Sequence, residues 1–229
     1  MGRYISAIIT TLSLAGCGSE PAAAPEAAAT TTGNAVAAPV AGPERRILAF
    51  GDSLFAGYRL GEGEGYPERL QAALRAKGIA ASVTNAGVSG DTTAAGRQRL
   101  AFVLDNLAAP PELALVELGG NDLLRGIDPA ETRANLTAIV TELRRRKIPV
   151  LLMGMRAPPN VGPKFQASFD AIYPALAKQF DAGLVPFFQA PVFARPGLLL
   201  PDHVHPTAAG VEAMVAATAD QVAEALPKT

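Results

Sequence analysis

The sequence predicts an α/β protein with a three-layer α/β/α, flavodoxin-like fold and a doubly wound parallel sheet of about five strands. Short runs that are apolar at nearly every residue recur along the chain, a pattern typical of strands buried on both faces. Amphipathic segments at helical spacing separate these runs. The alternation of strand and helix continues to the C-terminus without an internal repeat, which favours a parallel sheet covered by helices.

Four of the predicted strands are clear from the sequence, and a fifth is weaker. The clear runs lie at residues 47–50, 113–118, 150–155 and 184–188. The weaker run lies at 81–84. All are short enough for strands rather than helices.

Two of the predicted helices have recognisable starts. Asp128 is a carboxylate N-cap, Pro129 takes the first helical position and Glu131 the third, and apolar residues then recur at helical spacing. The last helix is predicted to start at Thr207. Its apolar face consists of Val211, Val215, Thr218, Val222 and Leu226.

Composition argues against a nucleic-acid-binding protein and excludes a fold held by internal disulfides. The chain has 229 residues and a formal net charge of -1, which argues against a nucleic-acid-binding protein, because such proteins carry a basic excess. It has one cysteine, so no disulfide can form within the chain. A hydrophobic core must therefore hold the fold together, and one domain of this size can bury enough surface to do so.

Residues 1–17 are predicted to be a lipoprotein signal peptide. Arg3 precedes an apolar run at 5–14, which is far shorter than the ~20 residues needed to span a bilayer. The Leu-Ala-Gly-Cys sequence that ends at Cys17 resembles the lipobox of bacterial lipoproteins, which implies lipid attachment at this cysteine. The alternative is an ordinary signal peptide with an unrelated cysteine near its end. The residues that follow Cys17, Gly-Ser rather than Asp, imply by the same analogy an outer-membrane anchor in the periplasm.

Residues 18–43 are predicted to be a disordered tether. This segment is rich in Ala, Pro and Thr and has no aromatic residue, so it cannot bury enough apolar surface to offset the entropy of ordering. The folded domain is therefore predicted to occupy residues 44–229.

Polar motifs follow the predicted strands, where ligands bind in doubly wound sheets. The sequence Gly-Asp-Ser-Leu follows the first strand, and Gly-Gly-Asn-Asp follows the third. The two histidines of the chain, His203 and His205, both lie near the C-terminus beside Asp202. The four motifs are at residues 51–54, 85–91, 119–122 and 202–206.

Together these motifs contain the groups required for acyl transfer by a serine. Ser53 lies between a strand and a predicted helix. Asp202 precedes His205 by three residues, so a turn can bring the carboxylate to Nδ1 and leave Nε2 free for the serine. The backbone N–H of Gly90 and the side chain of Asn121 are candidate oxyanion donors. Ser53 alone would fit a helix N-cap equally well, but the four motifs together favour catalysis.

The four motifs match, in order and spacing, those of the GDSL or SGNH hydrolases. Within that superfamily the chain resembles the bacterial thioesterase I, lysophospholipase L1 and arylesterase group, and the likeness covers about residues 46–226. Further shared segments are Asn-Ala-Gly-Val-Ser-Gly-Asp-Thr-Thr at 85–93, Pro-Pro-Asn-x-Gly at 158–162, Ile-Tyr-Pro at 172–174 and Pro-Phe-Phe at 186–188.

The resemblance implies the SGNH hydrolase fold and a role for each matched residue. Ser53 would be the nucleophile, with His205 and Asp202 as its partners. The N–H groups of Ser53 and Gly90 and the side chain of Asn121 would form the oxyanion hole. No cofactor and no metal are expected, because no His/Cys/carboxylate cluster has ligand spacing.

The same resemblance assigns the loop at 156–162 to one side of the acyl groove. Substrate-contact candidates are therefore Leu54, Pro158, Pro159 and Asn160.

Two residues depart from the family pattern. Phe55 stands where many relatives have a small hydroxylic residue and is expected to affect the mouth of the pocket. His203 stands where many have Gly, and it is expected to be a surface residue rather than a second base, because it lacks the three-residue offset from Asp202.

Three further aspartates are expected to have structural roles. Asp52 is expected to hydrogen-bond within its turn, although it adjoins Ser53. Asp91 and Asp122 are expected to brace their loops.

These observations predict an exported, lipid-anchored, monomeric serine esterase that acts on small carboxylic esters or thioesters and not on nucleic acid. A carbohydrate O-deacetylase of the same superfamily is one alternative. A non-catalytic, flavodoxin-like binding lipoprotein is another, and it predicts ligand binding without ester turnover. Acyl-chain length and leaving group stay open at this point.

Overall fold

The computed structural model describes residues 40–228, so the predicted signal peptide, Cys17 and most of the predicted tether lie outside the described residues. Residues 40–228 form five β-strands and eight α-helices. The strands are β1 (Arg45–Gly51), β2 (Ala81–Gly87), β3 (Leu113–Glu117), β4 (Val150–Met153) and β5 (Gly183–Val185). The helices are α1 (Ser53–Ala56), α2 (Tyr66–Ala76), α3 (Thr93–Asp105), α4 (Gly120–Leu124), α5 (Pro129–Arg145), α6 (Pro163–Asp170), α7 (Ile172–Phe180) and α8 (Ala208–Ala225). Within this part of the chain, no helix is both long and apolar enough to cross a membrane.

All five strands are parallel and lie in the order β2-β1-β3-β4-β5. The chain moves from β1 outward to β2 and then returns to the other side of β1 for β3. The carboxyl ends of β1 and β3 are therefore the topological switch point, where ligands bind in such sheets. Gly51 pairs there with Glu117 of β3. The predicted fold class is confirmed.

Strand boundaries differ from the prediction where local chemistry ends the pairing. β5 stops at Val185 because Pro186, which was predicted to belong to the strand, has no N–H to donate to a ladder. β4 ends at Met153, two residues before the predicted end. β2 continues to Gly87, and all seven of its residues pair with β1.

Helices cover both faces of the sheet. α2 packs against α8, whereas α3 packs against α5 and α5 against α7. The central strands β1 and β3 are buried, as the continuous apolar runs predicted. The predicted inner face of the last helix is also buried: Val211, Val215, Thr218, Val222 and Leu226.

Both predicted helix starts are confirmed by side-chain caps. The Asp128 carboxylate accepts a hydrogen bond from the N–H of Ala130 at 2.8 Å. The Thr207 hydroxyl accepts one from the N–H of Gly210 at 3.2 Å. Each cap satisfies a backbone donor that has no partner within its helix.

Phe55 belongs to the core, so the expectation that it affects the pocket mouth is wrong. Its side chain is fully buried, because α1 directs position 55 toward the rings of Tyr66 and Phe188. The ring stacks on Tyr66 with centroids 5.3 Å apart and meets Phe188 edge-on at 5.7 Å. Phe55 therefore anchors α1 to the aromatic core beneath it.

Candidate active site

Ser53 is the first residue of α1, directly above the carboxyl end of β1. Asp52 caps this short helix, with its carboxylate accepting a hydrogen bond from the N–H of Leu54 at 3.1 Å. Gly51 is required before it, because a Cβ there would lie 2.7 Å from the carbonyl oxygen of Glu117. This tight turn presents Ser53 at the switch point.

The structure brings Ser53, His205 and Asp202 into one hydrogen-bonded line. Ser53 Oγ lies 2.8 Å from His205 Nε2. His205 Nδ1 lies 2.9 Å from Asp202 Oδ2. The geometry is that of a nucleophile, a base and a carboxylate that orients the base.

The loop before α8 holds Asp202 in its ionised form. Partial burial would raise the pKa of Asp202, but hydrogen bonds from the N–H groups of His205 and Val204 outweigh it and lower this pKa to about 2. Asp202 Oδ1 accepts both bonds, at 3.0 and 2.9 Å. The carboxylate is therefore fixed beside the imidazole, and it keeps its negative charge at neutral pH.

Tyr58 packs on the His205 ring and was not identified from the sequence. The two ring centroids are 4.3 Å apart at an interplanar angle of 37°. Gly57, at φ +72°, ends α1, and the Tyr58 N–H donates to the Ser53 carbonyl oxygen at 3.2 Å. Sequence periodicity gives no indication of Tyr58, because its position beside His205 depends on the turn at Gly57.

Two of the three predicted oxyanion donors carry a backbone N–H that no described residue accepts. These are Ser53 and Gly90, and Gly90 has φ +87°. The third donor, Asn121, is half-buried in α4, and its Nδ2 donates to Asp52 Oδ2 at 3.0 Å. An amide nitrogen has two N–H groups, so this bond leaves one of them for another acceptor.

The three donors differ in their position relative to a cavity that opens beside Ser53. Ser53 and Asn121 line it, whereas Gly90 is exposed and lies outside its lining. The Gly90 carbonyl oxygen accepts from the Arg125 guanidinium at 2.8 Å. The N–H of Val88 donates to the Gly51 carbonyl oxygen at 3.0 Å, which ties this loop to the end of β1.

Asp91 and Asp122 brace their loops, as the sequence predicted. Asp91 forms an ion pair with Arg99, whose guanidinium also donates to the Gly51 carbonyl oxygen at 2.9 Å. Asp122 is fully buried and accepts from the Thr93 N–H at 2.8 Å. Both contacts hold the loops after β2 and β3 against α3.

A cavity of about 590 Å³ opens beside Ser53. Three of the predicted substrate-contact residues line it, and the fourth, Asn160, lies outside the lining on an exposed 3-10 turn at Pro159–Val161. The predicted residues that do line it are Leu54, Pro158 and Pro159. Apolar lining residues that were not predicted individually are Leu123, Leu124, Met155, Phe187, Val192, Phe193 and Leu199.

The sequence carried little signal for these additional lining residues. Phe187 belongs to the Pro-Phe-Phe segment at 186–188. Leu123 and Leu124 lie on α4, and the others come from loops that only the fold brings together. His203 also lines the cavity and is exposed, in the left-handed conformation at φ +59°. It makes no side-chain hydrogen bond with any described residue, in agreement with its expected position at the surface.

A larger cleft of about 840 Å³ lies elsewhere, between the start of α5 and α6. None of the predicted catalytic residues lines it, so its size does not make it the reactive site. Among residues 40–228, no three His, Cys, Asp or Glu side chains are grouped as metal ligands would be.

Comparison with known proteins gives independent matches to this chain. The model of the GDSL-like Lipase/Acylhydrolase family matches residues 49–213. Thioesterase 1/protease 1/lysophospholipase L1 of Escherichia coli strain K12 is 41% identical over 160 residues, which are 70% of this chain and 74% of that protein. Esterase TesA of Pseudomonas aeruginosa is 39% identical over 163 residues, which are 71% of this chain and 80% of that protein.

Solved structures agree with the sequence matches. The crystal structure of AlinE4, an SGNH-hydrolase family esterase, has 65% sequence identity and a TM-score of 0.70, and the match covers 82% of this chain and 100% of that one. The crystal structure of TesA has 36% identity and a TM-score of 0.75, with coverage of 80% and 100%.

Proposed function

The chain belongs to the GDSL-like lipase/acylhydrolase family, and we propose that it hydrolyses carboxylic esters or thioesters through an acyl-enzyme on Ser53. It is an ester hydrolase of the GDSL type. The observation that carries the proposed mechanism is the unbroken line from Ser53 Oγ through His205 to Asp202, with distances of 2.8 and 2.9 Å.

In the first half-reaction, Ser53 Oγ attacks the carbonyl carbon while His205 Nε2 takes its proton. The carbonyl oxygen becomes an oxyanion, which accepts hydrogen bonds from the Ser53 N–H and Asn121 Nδ2 at the cavity. The family resemblance implies the N–H of Gly90, on the neighbouring loop, as the third donor. The bond to the leaving oxygen or sulfur then breaks. His205 donates its proton to the leaving group, and the acyl group stays on Ser53 as an ester.

In the second half-reaction, a water molecule takes the place of the leaving group. His205 Nε2 accepts a proton from the water as the water oxygen attacks the acyl carbon. The carbon–Oγ bond breaks, His205 returns the proton to Ser53, and the carboxylic acid leaves. Asp202 stays ionised throughout and stabilises the imidazolium.

The cavity supports a substrate with a hydrocarbon acyl group. Its lining is mainly apolar, including Leu123, Met155 and Phe187 beside Ser53. Burial of methylene groups against such a surface contributes about 0.8 kcal/mol each. Four polar side chains also line the cavity, those of Arg156, Gln166, Asp170 and Gln189. An acetyl group would still leave most of the apolar surface uncovered, so we place the carbohydrate O-deacetylase second.

Labelling with a fluorophosphonate probe tests the assignment of Ser53. The wild-type protein should be labelled, and Ser53→Ala should abolish both labelling and ester turnover. Ser168→Ala is a matched control, since Ser168 is an exposed serine in α6 that lies outside the lining of the Ser53 cavity. Persistent labelling of Ser53→Ala would mean that another residue is the nucleophile.

A chain-length series separates the candidate functions. Aryl esters from acetyl to palmitoyl, the corresponding thioesters and acetylated glycans should be compared by kcat/KM. We expect kcat/KM to rise with acyl length from acetyl and to exceed that for any acetylated glycan. Highest activity on acetylated glycans would favour the O-deacetylase, and binding without turnover of any ester would favour the non-catalytic lipoprotein.

We also propose that the chain is exported and anchored to the outer membrane by a lipid on Cys17, and that it acts as a monomer. The support is the lipobox-like sequence that ends at this cysteine. Metabolic labelling with palmitate in a bacterial host should label the full-length chain and not Cys17→Ser. Labelling of neither protein would leave an ordinary signal peptide as the better interpretation.

A further inference from the structure

Two carboxyl groups lie buried beneath Ser53, and the mechanism above gives neither of them a role. Asp52 is 2% exposed and Glu117 is 0% exposed. Asp52 follows β1 and Glu117 ends β3, so the pairing of these two strands brings them together. The Asp52 N–H donates to Glu117 Oε2 at 3.1 Å.

The surroundings raise the pKa of both carboxyl groups and favour the protonated form most strongly at Glu117. Burial raises the pKa of Glu117 well above its usual value, and the neighbouring charge of Asp52 raises it further. Burial also raises the pKa of Asp52, and hydrogen bonds from the Leu54 N–H and the Asn121 amide offset part of that rise. A neutral Glu117 and a charged Asp52 leave one buried negative charge, which has several donors around it.

The Asp52 carboxylate reaches Asn121 more closely than it reaches the serine hydroxyl. Asp52 Oδ2 is 3.0 Å from Asn121 Nδ2, whereas Asp52 Oδ1 is 3.5 Å from Ser53 Oγ. His205 Nε2, at 2.8 Å, is the nearer base for that hydroxyl. A carboxylate accepts and does not donate, so it orients the Asn121 amide with its nitrogen inward and leaves the second N–H for the cavity.

We propose that Asp52 is a positioning residue for Asn121, and that Glu117 holds Asp52 in place from the strand below. The inference rests on the proposed function, in which Asn121 is an oxyanion donor. Without the carboxylate, the amide is free to rotate about its side-chain bonds or to turn its oxygen toward the cavity. Such a change weakens binding of the oxyanion rather than of the substrate, so kcat falls and KM changes little.

A double-mutant cycle tests the coupling. We expect Asp52→Asn to lower kcat by about 10- to 100-fold in the wild-type background, because the amide loses its fixed orientation. In the Asn121→Ala background the same substitution should lower kcat by less than about threefold, because there is no amide left to orient. A full effect of Asp52→Asn in both backgrounds would overturn the proposal.

A control cycle pairs Asp52→Asn with Tyr58→Leu. Tyr58 contacts His205 on the other side of Ser53. The effects of these two substitutions on kcat should multiply within about twofold, because the residues act on different reaction groups. Coupling as strong as that with Asn121 would mean that Asp52 acts through general distortion of the site, which contradicts the proposal.

Two variants of Glu117 test whether its contact with the Asp52 N–H matters, independently of Asp52→Asn. The amide of Glu117→Gln retains an oxygen that can accept from the Asp52 N–H, whereas Glu117→Met has no acceptor at this position. We expect Glu117→Met to lower kcat by about 10-fold, whereas Glu117→Gln should retain most of the wild-type kcat. Equal losses in folded samples, with thermal unfolding measured for each variant, would overturn the role of Glu117.

The same experiments separate this proposal from the proposed function. If Asn121→Ala leaves kcat within threefold of wild type, Asn121 is no oxyanion donor and both proposals fail at that point. If Asn121→Ala lowers kcat strongly but Asp52→Asn lowers kcat equally with and without Asn121, only the positioning role is wrong.

Discussion

Two aspartates flank Ser53, and they lie in opposite environments. The side chain of Asp202 is 33% exposed in the loop before α8, and N–H groups of that loop lower its pKa to about 2. Asp52 is the sequence neighbour of Ser53, yet it is buried, and burial raises its pKa. The residue remote in sequence contacts the imidazole, and the adjacent one contacts the Asn121 amide. The direction of each carboxylate, and not its distance in sequence, therefore decides its role.

The two sides of the serine should also respond differently to substitution. In the proposed mechanism, the carboxylate on the His205 side selects the imidazole tautomer and stabilises a full positive charge. The proposed carboxylate on the Asn121 side only orients a neutral donor. We therefore expect rate losses to decrease from Asp202 to Asn121, and to be smaller again for residues that pack around them.

The largest expected effect among these substitutions is that of Asp202→Asn. We expect kcat to fall by about 10⁴-fold, because an amide at this position favours the wrong imidazole tautomer and cannot stabilise the imidazolium. The measurement is kcat for an aryl ester at neutral pH. Asp181→Asn is a matched control, since Asp181 is an exposed aspartate in the left-handed C-cap of α7. A loss below about 100-fold at Asp202 would show that the base does not depend on this carboxylate.

Asn121→Ala should have the next largest effect. Loss of one oxyanion donor lowers kcat by about 10²–10³-fold, and KM should change little, because the oxyanion forms only in the transition state. Asn106→Ala, at the exposed end of α3, is the control for the same chemical change. A change smaller than threefold would remove Asn121 from this role.

Much of the fold and part of this site were predictable because the relevant information is local. Apolar runs predicted the strands, and the caps Asp128 and Thr207 predicted two helix starts. The three-residue spacing of Asp202 and His205 predicted their contact, since one turn determines it. The order of the motifs then placed Ser53 at the same edge of the sheet.

The remaining features depend on tertiary packing and could not be predicted in this way. Phe55 was misplaced, because the direction in which a four-residue helix points is set by the aromatic core below it. Tyr58 was missed, because its contact with His205 depends on the turn at Gly57. Glu117 interrupts an apolar run and so carried a signal, but its partner Asp52 follows from strand pairing alone.

Tyr58 is the aromatic contact of the imidazole on the His205 side. We expect Tyr58→Leu to lower kcat by about 10-fold, because the imidazole loses an aromatic face that limits its motion. Tyr58→Phe should retain most of the activity, since it keeps the ring that lies 4.3 Å from His205. If Tyr58→Phe is as slow as Tyr58→Leu, the hydroxyl group and not the ring face supports the base.

The last effect concerns stability rather than rate, and its pH dependence has opposite signs for Glu117 and Asp202. Below its ordinary pKa, Glu117 is protonated in both folded and unfolded chains. Above it, the unfolded chain releases the proton while burial keeps it on the folded protein, so stability falls as pH rises toward the raised pKa of folded Glu117. The lowered pKa of Asp202 acts in the reverse sense, and its contribution disappears as pH falls toward about 2.

Glu117→Gln removes the first of these pH dependences. Relative to wild type, its free energy of unfolding should increase with pH above about 4.5, by at most about 1.4 kcal/mol for each pH unit. Asp202→Asn should instead lose stability relative to wild type near neutral pH and approach it in strong acid. Urea unfolding between pH 3 and 8 measures both differences. A Glu117→Gln difference that does not change with pH would mean that Glu117 is already ionised in the folded protein, and the buried pair would then carry two charges instead of one.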